Sequence, residues 1–282
     1  MLKYRPEPNG ERRVLLGGDL MDLNLKGRRA LVCGSTQGIG KAIAIELANL
    51  GASVTLLARN AESLEAVKSE LFHGAGQHHS TLTADFSKPD QLKSVLDEHV
   101  DQENPYHILI NNTGGPPGGQ AIDAGIDEFR IAFNQHLICN QILTQALVEG
   151  MKAEAFGRII NVISTSVKMP LPNLGVSNTI RGAVGNWSKT LANELGQFGI
   201  TVNNVLPGAT DTQRLRSIIE NKANKSGQPV EAVAANMKKD IPAKRFAEAE
   251  EVAAAAAFLA TPAAGYINGI NVPVDGGRTG NL

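Results

Sequence analysis

The sequence predicts an α/β protein built on a parallel sheet with helices on both faces. Short apolar segments of β-type composition alternate with segments that have helical periodicity. The spacing between successive apolar segments leaves room for one helix each time, which is typical of βαβ units. The chain of 282 residues is long enough for one large domain, and no linker divides it. We therefore expect about seven strands in a single domain.

The predicted elements follow one another from residue 28 onward. The segment RALVC predicts the first strand, and the helix after it, KAIAIELANL, places Ile43, Leu47 and Leu50 on one face. The segment ASVTLLA predicts a second strand, and residues 61–71 a second helix. Further strands are predicted at STLTAD, HILIN, RIINVI, TVNNVL and GINVPVDGG.

Two segments depart from this alternation. Residues 1–22 contain prolines, glycines and mixed charge without periodicity, so we expect a disordered extension, with an arm that wraps a partner subunit as the alternative. The folded domain then spans residues 23–282. Within it, residues 213–242 are polar and rich in lysine, and we expect short helices that cover a cleft as a substrate lid.

The composition excludes several classes of function. The 27 basic and 28 acidic residues nearly cancel and aromatics make up only 4%, so we expect no nucleic-acid partner. The two cysteines, Cys33 and Cys139, lack a C-x-x-C spacing, which indicates reduced thiols and a cytoplasmic location. The longest apolar run, at 252–260, is about half a membrane span, so we expect no membrane partner. The histidines within 73–79 lack carboxylates or thiols in register, which indicates a solvated loop and no metal.

The turn after the first predicted strand has the character of a phosphate site. In LVCGSTQGIGKAI, the residues Gly34, Gly38 and Gly40 lie between a strand and a helix N-terminus. Glycines let the backbone approach a pyrophosphate, which the helix dipole and free N–H groups stabilise. By itself the spacing also fits a plain strand-to-helix turn. Its place on the first βα turn of a parallel sheet favours a dinucleotide site.

Five motifs in this order resemble the short-chain dehydrogenase/reductase family, most closely its 3-oxoacyl-acyl-carrier-protein reductase-like members. They are CGSTQGIG, NNTGG, GRIINVIS, LPGATDT and NVPVDGG, and the resemblance covers about residues 23–277. It implies a Rossmann-type doubly wound sheet and a dinucleotide cofactor. It also implies a homodimer or homotetramer, because helices predicted at about 127–153 and 175–197 carry apolar faces and pair across a two-fold axis in family members.

The resemblance also assigns cofactor contacts. Arg59 ends the second predicted strand, where a guanidinium suits a 2′-phosphate, with Asn60 beside it, so NADP(H) is favoured over NAD(H). A plain surface charge is the alternative for Arg59. The remaining cofactor positions are Gly34, Ser35, Gln37, Gly38, Ile39, Gly40, Asp85, Phe86, Asn111, Asn112, Gly114, Arg181, Pro207, Gly208 and Thr210.

The family's catalytic Asn, Ser, Tyr and Lys are only partly matched. Ser164 occupies the Ser position, whereas His136, Ser177 and Arg181 occupy those of Asn, Tyr and Lys. An aliphatic hydroxyl is a much poorer acid than a phenol, and arginine does not deprotonate. Histidine has an ordinary pKa near neutrality and is the local group expected to titrate there. The alternatives are a helix cap for Ser177 and a histidine hydrogen-bonded inside a helix interface for His136.

Two functions therefore remain open. The first is an NADP(H)-linked oxidoreductase acting on a small carbonyl or alcohol substrate. In it Ser164 holds the substrate oxygen, and His136, Ser177, Arg181 or water replaces the usual acid. The second is a non-catalytic dinucleotide-binding scaffold or sensor, since the cofactor positions are kept while the catalytic set is altered.

Overall fold

A computed structural model describes residues 3–6, 12–15, 21–101 and 103–281. The strands are β1 (Lys3–Pro6), β2 (Arg12–Leu15), β3 (Arg29–Cys33), β4 (Ser53–Ala58), β5 (Ser80–Thr83), β6 (Ile108–Asn111), β7 (Gly157–Val162), β8 (Ile200–Pro207) and β9 (Asn271–Val274). Strands β3 to β9 form a seven-stranded parallel sheet in the order β5-β4-β3-β6-β7-β8-β9. This confirms the predicted fold class.

Helices cover both faces of this sheet. They are α1 (Gly38–Asn49), α2 (Ala61–Glu70), α3 (Pro89–His99), α4 (Ile126–Phe133), α5 (Cys139–Ala153), α6 (Gly175–Leu195), α7 (Gln213–Ser226), α8 (Val230–Lys239) and α9 (Ala249–Ala260). A π-helical turn, Asn134–Ile138, joins α4 to α5. The sequence predicted the strand–helix alternation but not this turn.

Successive residues of the central strands pack against opposite helical layers. On β3, Val32 lies in the core cluster that includes residues of α1 and α9, whereas Leu31 lies in the cluster that includes residues of α3, α5 and α6. On β6, Leu109 packs into this second layer and Ile110 into the first. Burial on both faces is what a parallel sheet requires, since helices cover both of its sides.

The strand order places a crevice at the carboxyl ends of β3 and β6. The chain runs outward from β3 to β4 and β5, and then returns to the other side of β3 to begin β6. In open α/β sheets, ligands bind at such a reversal point, outside the carboxyl ends of the strands. The fold therefore positions a site between the first glycine turn and the loop after β6.

A row of four asparagines crosses the second half of the sheet. Asn111, Asn161, Asn204 and Asn271 stand opposite one another in register on β6, β7, β8 and β9. Each side-chain amide donates to the next carbonyl oxygen, with N–O distances of 2.8, 3.0 and 2.8 Å. Buried amides need such partners because an unmatched polar group inside a protein is costly.

The two unusual segments of the sequence are partly described. The pairing of β1 with β2 is antiparallel and was not predicted. The other residues before position 21 lie outside the described part, so the expected disorder over 1–22 stays a prediction. Residues 213–242 contain α7 and α8, which pack around a small apolar cluster, as the helical expectation required. Among residues 21–101 and 103–281, no helix is both long and apolar enough to span a membrane.

Candidate active site

A cleft of about 890 Å³ opens at the crevice predicted by the strand order. Its walls come from the glycine turn, from the loops after β4, β5 and β6, and from the segment between β8 and α7. They include most of the predicted cofactor residues, namely Gly34, Gln37, Gly38, Ile39, Gly40, Arg59, Asn60, Asp85, Phe86, Asn112, Gly114, Gly208 and Thr210.

The glycine turn is shaped by close backbone contacts that leave no room for a Cβ. Gly34 has φ of +59°, and a Cβ there would lie 2.7 Å from the carbonyl oxygen of Asn112. A Cβ on Gly40 would lie 2.6 Å from Asn112 Nδ2. That amide donates to the carbonyl oxygens of Cys33 and Gly34, both at 3.2 Å, and so fastens the turn to the end of β6.

The N-terminus of α1 is open toward the cleft. Its N-cap, Gln37, makes no side-chain capping hydrogen bond, and the first turn holds no acidic residue. The backbone N–H groups at this end therefore remain available for an anion, which the helix dipole favours. Together with the glycine turn, this arrangement fits the pyrophosphate of a dinucleotide.

Arg59 supplies a cation at the far end of the cleft. It is exposed, follows β4 directly, and forms no ion pair with the residues that the structure describes. The pKa of Asp85 is lowered, chiefly by the hydrogen bond from Ser87 N and to a smaller extent by the charge of Arg59. Asn60 Oδ1 caps α2 by accepting from Ser63 N at 2.8 Å, which leaves its amide hydrogens free.

Four predicted cofactor residues do not line this cleft. Ser35 is fully buried and its hydroxyl donates to Leu57 O at 3.4 Å. Asn111 is 2% exposed, and its amide donates to Asn161 within the asparagine row. Its side chain therefore points away from the cleft that Asn112 lines. Pro207 and Arg181 are also absent from the cleft walls.

Several lining residues were not predicted. They include Thr36, Ser87, Thr113, Gly115, Gln135, Thr212, Arg214 and Arg216. Thr212 is the last residue of the LPGATDT motif, and Arg214 and Arg216 follow it within four residues. This closeness to the motif in sequence could have indicated that all three line the cleft. Arg214 Nη2 donates to Gly115 O and Pro116 O, at 3.3 and 2.9 Å, and so ties the start of α7 to the loop after β6.

The two candidate serines have different surroundings. Ser164 lies just after β7, where Oγ accepts from Ser166 N at 3.1 Å and its proton has no acceptor among the described residues. Ser177 is the third residue of α6, whose N-cap is Leu174, so the helix-cap alternative was wrong. Its hydroxyl makes no hydrogen bond with the described residues. Both serines are half-buried.

Arg181 lies one turn beyond Ser177 and is buried, with 7% of its surface exposed. Nη1 donates to Val162 O at 3.1 Å, at the end of β7. A Cβ on Gly115 would lie 3.9 Å from Nη2 of Arg181 and 3.8 Å from Nη2 of Arg214. Burial, followed by the charge of Arg214, lowers the pKa of Arg181 to about 10, which leaves it charged at neutral pH. Its guanidinium therefore lies between the ends of β6 and β7.

His136 lies in the π-helical turn, 1% exposed, beneath the same region. Neither ring nitrogen has a hydrogen-bond partner among the described residues, so the alternative of a histidine hydrogen-bonded inside a helix interface finds no protein partner there. Burial, followed by the charge of Arg181, lowers its pKa to about 3. The sequence had indicated a group that titrates near neutrality, whereas this imidazole is neutral there. A π-turn inserts one residue into a helix and is frequent at functional sites.

The histidine-rich loop also differs from the expectation of a simple solvated loop. His79 is half-buried, accepts from Val54 N at 3.1 Å through Nδ1, and donates from Nε2 to Phe72 O at 2.8 Å. It therefore fastens the loop to β4. Within the described part of the chain, no group of three or more histidine, cysteine, aspartate or glutamate side chains is placed to hold a metal.

Comparison with known proteins gives one family. A family model described as enoyl-(acyl carrier protein) reductase matches residues 34–279. The NADPH-dependent reductase BacG of Bacillus subtilis (strain 168) is 32% identical over 254 residues, which cover 89% of this chain and 97% of that protein. The 3-oxoacyl-[acyl-carrier-protein] reductase FabG of Pseudomonas aeruginosa is 34% identical over 259 residues, with coverage of 90% and 98%.

Solved structures agree with this result. YwfH, an NADPH-dependent reductase involved in bacilysin biosynthesis, superposes with a TM-score of 0.85 at 31% identity, covering 90% of this chain and 99% of that one. L-Sorbose reductase from Gluconobacter frateurii, complexed with NADPH and L-sorbose, gives a TM-score of 0.86 at 28% identity, with coverage of 93% and 100%.

Proposed function

Because the chain belongs to the short-chain dehydrogenase/reductase family, we propose that it is an NADP(H)-linked oxidoreductase acting on a small carbonyl or alcohol substrate. One observation carries this proposal: Ser164 follows the end of β7, the charged Arg181 donates to Val162 O at that strand end, and its guanidinium approaches Gly115 in the wall of the cleft that contains the glycine cradle. The named relatives are reductases, and nothing in these comparisons favours the non-catalytic alternative.

NADP(H) is the coenzyme that the cleft fits best. The open N-terminus of α1 suits the pyrophosphate, and Arg59, which forms no ion pair with the described residues, suits a phosphate on the adenosine ribose. BacG and the two structural relatives are named with NADPH, which supports the same choice. An acidic residue at the position of Arg59 would instead favour a free 2′-hydroxyl.

The residues near Ser164 would orient the substrate and balance its charge. A bound NADPH would supply the hydride, while the protein would orient the substrate and stabilise the charge that develops on it. Ser164 Oγ would donate a hydrogen bond to the substrate oxygen, Arg181 would stabilise the negative charge that develops there, and water would supply the proton that completes the alcohol. Ser177 lies one helix turn before Arg181, but its hydroxyl is a poor acid, so it would orient water or substrate and would not be the main proton donor.

We also propose that the protein is a homodimer or homotetramer. Large apolar side chains are exposed on and just before α4, including Ile122, Ile126 and Ile131 at 88, 67 and 55%. Beside them a groove of about 500 Å³ is lined by α4 residues and by Ile180 of α6. A second copy covering these faces would remove this apolar surface from water. Both cysteines are free and buried, which supports the proposed cytoplasmic location.

The proposed function is tested by NADPH consumption. The absorbance of NADPH is followed with purified protein and a panel of ketones, aldehydes, 3-oxoacyl thioesters and α,β-unsaturated carbonyl compounds. Substrate-dependent loss of NADPH is expected for at least one class, and the Ser164→Ala variant should lose most of it. NADPH that binds without being consumed by any member of the panel would contradict the proposal and support the scaffold.

A further inference from the structure

Two guanidinium groups from different helices meet beside Gly115, in the wall of the cleft. A Cβ on Gly115 would lie 3.9 Å from Nη2 of Arg181, on α6, and 3.8 Å from Nη2 of Arg214, on α7. Burial, followed by the charge of Arg214, lowers the pKa of Arg181, and no carboxylate of the described chain raises it. Two such like charges repel each other, so an anion placed between them would be stabilised by both.

Arg181 has a pair of hydrogen-bond donors free along one edge of its planar group. Nη1 donates to Val162 O, and neither Nε nor Nη2 has a hydrogen-bond partner among the described residues. These two nitrogens are also not among the fully buried polar atoms that lack a partner, so solvent reaches both. Two parallel N–H bonds on one edge of a guanidinium match the two oxygens of a carboxylate.

Arg214 is held in place by the loop that it faces. Nη2 donates to Gly115 O and Pro116 O, at 3.3 and 2.9 Å, and the group forms no ion pair with the described residues. The next arginine on α7 differs, because Arg216 donates to Asp211 at 3.0 Å. Arg214 therefore lines the cleft with its charge unbalanced.

The segment whose first turns line the cleft adds more unbalanced positive charge. Residues 213–242 contain six basic and three acidic residues, whereas the whole chain contains 27 and 28. None of the four lysines of this segment forms an ion pair with the described residues; they are Lys222, Lys225, Lys238 and Lys239. Lysines outside it do pair, such as Lys41 with Glu70 and Lys93 with Asp97. A cleft bordered by charge of one sign attracts substrates of the opposite sign.

The end of β7 brings the groups for a carbonyl oxygen and for a carboxylate close together. Ser164 follows this strand, and Arg181 donates to the carbonyl oxygen of Val162, the last residue of the strand. The serine hydroxyl and the free guanidinium edge are therefore both positioned by one short stretch of chain. This arrangement fits a compound whose carboxylate is bonded directly to its carbonyl carbon, which is a 2-oxo acid.

From these observations, and resting on the proposed function, we propose that the substrate is a 2-oxo acid whose carboxylate is bound by Arg181 and Arg214. Hydride passes from NADPH to the carbonyl carbon, and the C=O electron pair moves to the oxygen that Ser164 holds. A proton that reaches this oxygen through water completes the 2-hydroxy acid, and NADP⁺ is the oxidised product.

The carboxylate site is tested first without turnover. Oxamate has the shape of a small 2-oxo acid but does not accept hydride, and calorimetry measures its Kd for the protein with NADPH bound. We expect oxamate to bind about tenfold or more tightly than its neutral methyl ester, since the ester cannot form the charge-assisted contact. Arg214→Met should weaken oxamate binding by about tenfold, whereas Arg214→Lys should retain part of it. Lys225→Met, which removes an exposed cation from the other end of the same helix, is the matched control.

Three results of this titration would overturn the assignment. The first is equal binding of oxamate and its ester, and the second is an equal loss of oxamate affinity in Arg214→Met and Lys225→Met. The third is a loss of NADPH affinity in Arg214→Met as large as its loss of oxamate affinity, which would assign Arg214 to the coenzyme. Arg181→Lys keeps the charge but removes the paired donors, so it should also weaken oxamate binding.

Turnover then separates this inference from the proposed function. NADPH oxidation is measured with 2-oxo acids of increasing side-chain length and with the methyl ester of each. We expect kcat/KM for at least one acid to exceed that for its ester by about tenfold or more, and Arg214→Met to reduce this ratio by about tenfold. If Arg214 only held α7 against the loop after β6, the variant would lower both rates alike.

The outcomes of this measurement are distinct. An unchanged ratio in Arg214→Met, or NADPH oxidation confined to esters and other neutral carbonyl compounds, would overturn the inference and leave the proposed function standing. NADPH oxidation with none of the acids, none of the esters and no member of the wider carbonyl panel would overturn both.

Discussion

The two serines near the cleft are the same residue type, but their surroundings give them different tasks. Ser164 accepts from Ser166 N and keeps its proton for the substrate, whereas Ser177 has no described partner and sits on the first turn of α6. Ser164→Ala should lower kcat by about 10²-fold, the usual loss for one donor to a developing oxyanion. Ser177→Ala should keep a sizeable fraction of the wild-type rate. Initial rates of NADPH oxidation measure both, and equal losses would contradict this division of roles.

Arg59 is expected to set the coenzyme preference. Its guanidinium has no carboxylate partner among the described residues, so a 2′-phosphate gains a charge-assisted contact there. NADPH should bind more tightly than NADH by about tenfold or more. The Arg59→Asp variant should reduce or reverse this difference in affinity. Fluorescence titration with both coenzymes measures it. Lys26→Asp, an equal charge change just before β3 and therefore at the opposite end of the strands, should leave the ratio unchanged. Equal affinities in the wild-type protein would contradict the assignment.

The buried His136 should make stability depend on pH. Its pKa is lowered to about 3 in the folded state. Once the pH falls below the ordinary pKa of histidine, the unfolded chain therefore binds a proton that the folded chain does not bind. Above about pH 6.5 the free energy of unfolding does not depend on the protonation of His136. As the pH falls from there toward 3, the free energy of unfolding decreases by at most about 1.4 kcal/mol per pH unit. The variant His136→Asn should lose this slope. Urea unfolding at pH 7 and pH 5 measures it, and an identical change in both proteins would contradict the prediction.

At the scale of elements, α4 has an apolar face that lacks a partner in the described chain. Ile131 is 55% exposed on this helix, close to the groove that Ile180 of α6 helps to line. If a second copy covers this face, Ile131→Glu would place a charge in the interface, and the assembly should fall apart at micromolar concentration. Light scattering measures the mass.

Phe72→Glu is the control for this test, because Phe72 is comparably exposed but lies beside the edge strand β5. A monomeric wild-type protein, or an assembly that Ile131→Glu leaves intact, would contradict the proposed interface.

The elements also show how far the sequence can predict the site. The glycine turn was predictable because a fixed backbone shape demands glycine at Gly34 and Gly40. The direction of Asn111 was not, because adjacent residues at a strand end face opposite sides and only the strand's exact register decides which one meets the cleft. The π-turn that buries His136 could not be predicted either, since the one extra residue of such a turn does not change the composition of the helix.

At the scale of the whole molecule, the order of strands determines where chemistry can occur. The reversal between β3 and β6 brings the glycine turn, the loop after β6 and the start of α7 to one crevice. The sequence predicted this architecture because strand–helix alternation dictates a parallel sheet. It did not predict that Arg214 would join Arg181 beside Gly115, since that contact depends on how α7 packs across the crevice.

The proposed activity requires that this altered site still transfers a hydride to a carbonyl compound. Stopped-flow absorbance of NADPH, with purified protein and the panel of saturated and α,β-unsaturated carbonyl compounds, tests it most directly. We expect substrate-dependent loss of NADPH with at least one class, strongly reduced in Ser164→Ala and largely kept in Ser177→Ala. NADPH that binds with normal affinity but is not consumed by any compound in the panel would contradict it.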